Sequence, residues 1–254
     1  MAPKTVFITG ANRGIGLGIV RELLKNSEIE HLIAGARDIE KARELQSISQ
    51  SDSRLHLISI DVSNDESLEN SVKEIDSIVG ENGLNLLINN AGMIEVYKTM
   101  DTPNRFAVLN CIDVNAVSSL LLSQHFLPLL RKAASHVEGD EFSVKRAAIV
   151  NIGSDCSSQT LNVTGFCNET LLAYKMSKVA TLSFARSLVA DFKILNIPIL
   201  VTTIHPGWVL TDMGGPNAEI TIEESASKIV NSLSLLNSSH NGGLFDRQLT
   251  PLPF

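Results

Sequence analysis

The chain has 254 residues, of which 44% are hydrophobic and 19% are charged. This balance is typical of a folded globular protein and excludes a disordered chain. The 21 Lys and Arg residues against 28 Asp and Glu residues give a net charge of −7, which excludes a nucleic-acid binder that relies on bulk positive charge. A local basic pocket for one small anion remains compatible with these numbers.

The cysteines and the apolar segments of the sequence indicate where in the cell the protein is located. Cys111, Cys156 and Cys167 are an odd number of cysteines without CxxC spacing, which favours reduced thiols over a disulfide framework. The first residues enter a strand-like pattern without a signal-peptide pattern, and no run approaches the roughly 20 apolar residues of a membrane helix. We therefore expect a cytoplasmic protein that acts without a membrane or a nucleic-acid partner.

Apolar, β-branched runs alternate with segments of helical periodicity along the whole chain. Strands are predicted at residues 5–9, 31–36, 55–60, 84–88, 147–152, 197–204 and 243–245. Helices are predicted at residues 14–26, 39–48, 65–79, 104–132 (kinked or ended at Pro128), 171–194 and 222–236. Uniformly apolar strands are typical of a parallel sheet covered on both faces. The pattern predicts one doubly wound, Rossmann-like α/β domain over residues 1–254, with about seven strands.

A glycine-rich turn follows the first predicted strand. Such sheets bind ligands beyond the carboxyl ends of their strands, so this position is a candidate site. Gly10, Gly14 and Gly16 let the backbone approach a pyrophosphate, and the next helix offers its free N–H groups. The turn therefore predicts dinucleotide binding, with a plain strand–helix turn as the alternative.

The residues after the second and third strands concern the adenosine half of a dinucleotide. Ala36 stands where an acidic residue would hold a free ribose 2′-hydroxyl, and Arg37 follows it. Arg37 and Arg13 together predict a clamp for a 2′-phosphate, which favours NADP over NAD. The alternative is a solvated Arg37 beside a helix-capping Asp38. Asp61, after the third strand, fits an adenine contact, a turn or a helix cap equally well.

The fourth and fifth strands are followed by polar residues. Asn89-Asn90-Ala91-Gly92 fits a close approach to a ligand, although alone it would indicate a turn. Ser154 follows the fifth strand, and Tyr174 and Lys178 then share a helix face because they are four residues apart. An ammonium near a phenol lowers the phenol pKa, so the spacing predicts proton transfer by Tyr174 near neutral pH. A surface Tyr–Lys pair is the alternative.

Together these residues resemble the short-chain dehydrogenase/reductase family. The resemblance rests on TGANRGIG at 9–16, NNAG at 89–92, Asn115, Ser154, Tyr174 with Lys178, and His205-Pro206-Gly207. Residues 205–216 and the ending 242–254 are similar to the carbonyl-reductase branch that contains the sniffer and C-signal proteins.

The resemblance implies an oxidoreductase that reduces small carbonyl compounds with NADPH. Tyr174 would protonate the carbonyl oxygen, Lys178 would lower the tyrosine pKa and bind the nicotinamide ribose, and Ser154 would bind the substrate oxygen. Asn115 would support a water near Lys178. The implied cofactor contacts, besides Tyr174 and Lys178, are Gly10, Asn12, Arg13, Gly14, Ile15, Gly16, Arg37, Asp61, Val62, Asn89, Ala91, Gly92, Pro206, Gly207, Val209 and Thr211. A homodimer or homotetramer is also implied. The alternatives are preferential alcohol oxidation and an NADP-binding signalling protein with little turnover.

One spacing departs from the family pattern. Ser154 and Tyr174 are 20 residues apart, which predicts an enlarged loop over the substrate pocket at residues 155–173. Ser157 and Ser158 are therefore alternatives to Ser154, which is preferred because it follows the strand directly. The six histidines are scattered and predict no metal site, and His205 is interpreted as structural.

Overall fold

The computed structural model describes residues 2–139, 141–164 and 170–254. Within these residues, seven strands form one parallel sheet in the order β3-β2-β1-β4-β5-β6-β7. The strands are β1 Thr5–Thr9, β2 His31–Ala36, β3 Leu55–Ser59, β4 Leu86–Asn89, β5 Ala148–Ile152, β6 Leu200–His205 and β7 Leu244–Asp246. This architecture confirms the predicted Rossmann-like α/β fold.

Helices cover both faces of the sheet. They are α1 Gly14–Leu24, α2 Arg43–Ser51, α3 Asp65–Val79, α4 Arg105–Ile112, α5 Ser118–His125, α6 Leu127–Ser135, α7 Leu172–Ile194 and α8 Ile222–Leu233. Apolar side chains of α1, α2 and α8 form one core with the sheet, and those of α3, α5, α6 and α7 form the other. The strands are apolar throughout because each of them faces a core on both sides.

The strand order reverses at β1, which pairs with β2 on one side and with β4 on the other. Chain connections leave this point in opposite directions, so a crevice opens beyond the carboxyl ends of β1 and β4. The glycine-rich turn follows β1, and residues 90–92 follow β4. The fold therefore brings these two sequence motifs to one crevice.

Two predicted helices differ most from the observed ones. Helix α2 begins at Arg43 because the Asp38 carboxylate first accepts the Lys41 N–H at 3.1 Å and forms a separate turn. The helix predicted over 104–132 is three helices, with a π turn at Asp113–Val117 and a break at Phe126. Pro128 lies in the first turn of α6, where its missing N–H costs no helical hydrogen bond.

The helical run Arg105–His125 corrects one sequence expectation. It comprises α4, the π turn and α5, and its most apolar window has a mean hydropathy of 1.6, which is enough for a membrane-spanning helix. The expectation that no such run exists is therefore wrong. In the structure 44% of that window is buried, and the run packs against α7. A core helix of a folded protein passes the same test of length and composition.

The cysteines also differ from expectation. Cys111 is a buried free thiol, and burial raises its pKa. Cys156 is disulfide-bonded, so the prediction of a reduced thiol is wrong at this position. Cys167 lies outside the described residues.

Candidate functional site

At two positions of the glycine-rich turn, Gly10 and Gly16, the neighbouring atoms leave no space for a side chain. Gly10 has φ +66°, a conformation that side chains disfavour, and a Cβ there would lie 2.9 Å from the Ala91 Cα. A Cβ on Gly16 would lie 2.3 Å from the carbonyl oxygen of Gly10. The turn is therefore packed against the end of β4, and the N-terminus of α1 begins beside it. This geometry fits the approach of a pyrophosphate to backbone N–H groups.

Asn90 holds the turn in place, a role that the sequence did not reveal. Its Nδ2 donates to the carbonyl oxygens of Thr9 at 2.8 Å and Gly10 at 3.1 Å. The Thr9 hydroxyl in turn accepts the backbone N–H groups of Asn90 and Ala91. These bonds cross between β1 and β4, so no local pattern along the chain identifies them.

A basic cavity of about 350 Å³ lies beside the turn. The charged and predicted residues that line it are Asn12, Arg13, Gly14, Arg21, Lys41, Arg43 and Glu44. Four cations against one carboxylate fit a phosphate ligand. Of the two predicted clamp residues, Arg13 lines this cavity, whereas Arg37 lies exposed just beyond the end of β2. Arg21, Lys41 and Arg43 could not be predicted from the sequence, because they approach the cavity from different helices and turns.

The segment after β6 contains the predicted residues Pro206, Gly207, Val209 and Thr211 and reaches the glycine-rich turn. The Thr211 Cγ2 would lie 3.5 Å from a Cβ placed on Gly14. Arg13 and Asp212 form an ion pair between the turn and this segment. The segment therefore closes one side of the crevice.

Other predicted adenosine contacts are engaged within the protein. The Asp61 carboxylate accepts the Ser63 N–H at 3.0 Å and its hydroxyl at 2.7 Å, which is the geometry of a turn. Val62 is buried beside it, and Ile15 packs against the core. Asn89 is buried and donates to the Asn151 Oδ1 at 2.9 Å, so its side chain joins β4 to β5. Their contacts to a cofactor remain predictions.

Asn115 lies in the π turn between α4 and α5. Its Oδ1 accepts the Met93 N–H and its Nδ2 donates to the Met93 carbonyl, both at 2.8 Å. The same Nδ2 donates to the Ser177 Oγ of α7 at 2.8 Å. π turns are frequent at functional sites because the extra residue redirects a side chain. Here it joins the loop after β4 to the helix that carries Tyr174 and Lys178.

Ser154 is the serine that contacts Tyr174. It directly follows Gly153 at the end of β5, and its side chain lies close enough to Tyr174 to act on the pKa of that phenol. Ser157 instead donates to the Ser154 carbonyl at 2.6 Å, and Ser158 accepts the Leu161 N–H at 3.0 Å. Both alternatives therefore support the loop, and the geometry favours Ser154.

Lys178 is buried, and its Nζ donates to the Ile152 carbonyl at 2.9 Å while lying 5.6 Å from the centre of the Tyr174 ring. Burial lowers the pKa of Lys178 to about 8 and raises the pKa of Tyr174 to about 12. The predicted lowering of the Tyr174 pKa is therefore wrong in direction. Desolvation dominates because the ammonium bonds a carbonyl oxygen and does not bond the phenol.

His205 and Asp155 form a second polar pair beside Ser154. The Asp155 N–H donates to the His205 Nδ1 at 3.3 Å, and the His205 Nε2 lies 3.4 Å from an Asp155 carboxylate oxygen. The other carboxylate oxygen accepts the Ser154 hydroxyl at 3.1 Å. No sequence pattern singles out Asp155 or assigns chemistry to His205. Within the described residues, no cluster of three metal-ligating side chains is present.

Many known proteins are similar to this chain in sequence and in fold. The Sniffer protein of Caenorhabditis elegans is 45% identical over the full length of both chains, with a TM-score of 0.91. The NADPH-bound carbonyl reductase from chicken fatty liver is 33% identical, with a TM-score of 0.93, over 100% of this chain and 95% of that one. The C-signal protein of Myxococcus xanthus is 30% identical over 171 residues, which are 67% of this chain and 93% of C-signal.

The family model described as short chain dehydrogenase matches residues 4–220, which is most of the sheet and its crevice. The match includes the glycine-rich turn, the NNAG segment, Ser154 and the Tyr174–Lys178 pair. Sequence, fold and site thus agree, and the chain belongs to the short-chain dehydrogenase family of oxidoreductases.

Proposed function

We propose that the protein reduces small carbonyl compounds, such as ketones, aldehydes and quinones, with NADPH, and that Tyr174 donates the proton. The observation that carries this proposal is the group formed by Tyr174, Lys178 and Ser154 beyond the end of β5, in which the Lys178 Nζ lies 5.6 Å from the centre of the Tyr174 ring. Burial raises the pKa of Tyr174 to about 12. At neutral pH this phenol is protonated, which is the state that a proton donor requires. The alternative, preferential alcohol oxidation, would require the same group to begin as a base.

The residues around Tyr174 have separate roles in this reaction. NADPH, when bound, supplies the hydride. The hydroxyls of Tyr174 and Ser154 would both donate hydrogen bonds to the carbonyl oxygen of a substrate; without substrate, the Ser154 hydroxyl donates to Asp155. Lys178 places a positive charge beside that point, which stabilises the negative charge that develops on the oxygen. Asn115 keeps the loop after β4 and helix α7 in fixed positions.

The phenol is tested by Tyr174→Phe, assayed with NADPH and a panel of quinones, diketones and aldehydes. Loss of the acid is expected to lower kcat by about a hundredfold or more, because positioned acids contribute roughly 10² to 10⁴. NADPH affinity, measured by fluorescence, should stay within about twofold because the ring remains. Equal turnover by the variant and the wild type would refute the role of Tyr174.

A signalling protein with little turnover is the second candidate, because C-signal is 30% identical to the chain. The same assay separates the two functions. Wild-type protein that binds NADPH but reduces no compound in the panel would favour the signalling function.

The preference for NADPH is proposed from the basic cavity. Arg13 and Lys41 line the cavity, and Arg37 lies beside the end of β2. Each change to Ala is expected to weaken NADPH binding about tenfold while leaving NADH binding nearly unchanged, since a lost charged hydrogen bond costs about 1.5–3 kcal/mol. Arg131→Ala, on the exposed surface of α6, is the matched control. Unchanged NADPH preference in all three variants would refute the phosphate clamp.

A homodimer or homotetramer is also proposed. Phe106 and Leu109 on α4 and Met176 on α7 are large apolar side chains that are exposed. Helices α4 and α7 pack side by side, and a second copy that binds along both helices would bury these residues. Light scattering should give a dimer or larger mass for the wild type and a monomer for Phe106→Glu.

A further inference from the structure

The Asp155 carboxylate lies beside the candidate reaction point. Asp155 directly follows Ser154 beyond the end of β5, and its Oδ1 accepts the Ser154 hydroxyl at 3.1 Å. The Asp155 side chain is 26% exposed, so a molecule in the crevice can reach it. Burial is the main cause of the raised pKa of Tyr174, and the negative charge of Asp155 adds to it. Asp155 therefore lies close to both hydroxyls that would bind a substrate carbonyl.

His205 holds the carboxylate in this position. Its Nδ1 accepts the Asp155 backbone N–H at 3.3 Å, so this nitrogen carries no proton. The proton of the neutral ring is then on Nε2, which lies 3.4 Å from the Asp155 Oδ2. Burial lowers the pKa of His205, which keeps the ring neutral at neutral pH. His205 thus orients the carboxylate without adding a positive charge that would balance it.

A bound substrate would change the partner of the Ser154 hydroxyl. A hydroxyl has one proton, so Ser154 cannot donate fully to a carbonyl oxygen and to Asp155 at the same time. When Ser154 donates to the substrate, the Asp155 Oδ1 loses that hydrogen bond in a partly buried place, which is unfavourable. Its negative charge also lies close to the oxygen on which negative charge develops during reduction. A hydrogen-bond donor on the substrate, next to the carbonyl, would offset both effects.

We propose that Asp155 selects carbonyl compounds that carry a hydroxyl on the neighbouring carbon, namely α-hydroxy ketones and α-hydroxy aldehydes; this inference rests on the proposed carbonyl reduction. The carbonyl oxygen accepts hydrogen bonds from Tyr174 and Ser154. The substrate hydroxyl donates to the Asp155 Oδ1 in place of Ser154. Two carbon atoms separate the two oxygens of such a substrate, so the oxygens can face the adjacent residues Ser154 and Asp155 together. The product is a vicinal diol.

The test compares two ketones that differ in one donor. α-Hydroxyacetophenone and α-methoxyacetophenone share the ring, the carbonyl and an oxygen on the neighbouring carbon, but only the hydroxy compound can donate from that oxygen. With NADPH, the wild type should show a kcat/KM about tenfold higher for the hydroxy ketone, because a hydrogen bond to a charged acceptor is strong. The ratio of the two values is measured within one protein, so a general loss of activity in a variant cancels.

Asp155→Asn separates the effect of the donor from that of size. The His205 Nε2–H faces the Oδ2 position, so the amide oxygen takes that position and the amide NH₂ takes the Oδ1 position. A donor then replaces the acceptor, and the ratio should fall to about one or below. Asp155→Ala removes the acceptor and should also bring the ratio to about one. Asp191→Asn, on the exposed side of α7, is the control and should keep the wild-type ratio.

Product binding provides a second measurement that needs no turnover. The affinities of the NADP⁺-bound protein for styrene glycol and for the corresponding methyl ether, measured by fluorescence, should show the same preference in the wild type and lose it in Asp155→Asn. A wild type that reduces other carbonyl compounds but treats the two ketones alike overturns the inference and leaves carbonyl reduction intact. Full retention of the preference by Asp155→Asn, in turnover or in binding, also overturns it, because a preference that survives is due to size. A wild-type protein that reduces no carbonyl compound refutes both proposals.

Discussion

Replacing Lys178 by Met tests whether the buried ammonium destabilises the folded protein. Burial lowers the pKa of Lys178 from 10.5 to about 8. A folded-state pKa below the unfolded value means that the unfolded chain binds the proton more tightly. Lys178 therefore destabilises the folded state by about 3 kcal/mol below pH 8, and this penalty fades as the pH rises toward 10.5. Between pH 7 and pH 9.5 the penalty falls by about 2 kcal/mol.

Urea unfolding of the wild type and of Lys178→Met at these two pH values measures the effect. The difference between the two proteins cancels the other groups that titrate over this range. The wild type should gain about 2 kcal/mol relative to the variant at the higher pH. Lys73→Met, on the exposed surface of α3, should show no such gain. Identical pH dependence in the wild type and Lys178→Met would refute the reasoning.

Three further predictions concern the crevice and the opposite end of the sheet. Gly16→Ala should cost about 1–3 kcal/mol and weaken NADPH binding, because its Cβ would meet the Gly10 carbonyl oxygen; thermal unfolding and fluorescence titration measure the two effects. Asn115→Ala should cost a few kcal/mol in urea unfolding, because the N–H and carbonyl that it bonds at Met93 lose their partners. Burial and the neighbouring His31 lower the pKa of His56, so stability should fall as the pH drops below about 6.5. His56→Gln should reduce that fall in urea unfolding at pH 7.5 and pH 5.5.

Much of the fold follows from local patterns. Apolar strands alternate with amphipathic helices, and short connections leave few arrangements of a parallel sheet. The π turn at Asp113–Val117 could not be predicted, because its residues continue the helical periodicity of α4 and α5. The start of α2 at Arg43, four residues after the predicted start, could not be predicted either, since it depends on one hydrogen bond between Asp38 and Lys41.

The candidate site was predicted where its residues are close in sequence. Tyr174 and Lys178 share one helix, so their proximity follows from helical spacing alone. Asp155 and His205 are 50 residues apart and meet only because β5 and β6 are neighbours. The predicted direction of the shift in the Tyr174 pKa is wrong, because spacing along a helix does not reveal burial. Spacing predicts which groups are near, whereas a pKa also depends on burial and on which atom the ammonium bonds.

The pKa of Tyr174 bears on the direction of the proposed reaction. With a pKa of about 12, about one phenol in 10⁵ is ionised at pH 7, so a base at this position is rarely available. The same value leaves the acid form always available, and the alkoxide that forms in reduction is a stronger base than the phenolate. Reduction leaves Tyr174 as a buried phenolate, which is unfavourable, so the phenolate must regain a proton before the next turnover. The burial that favours the acid form of Tyr174 therefore also makes the return of its proton a necessary step of each turnover.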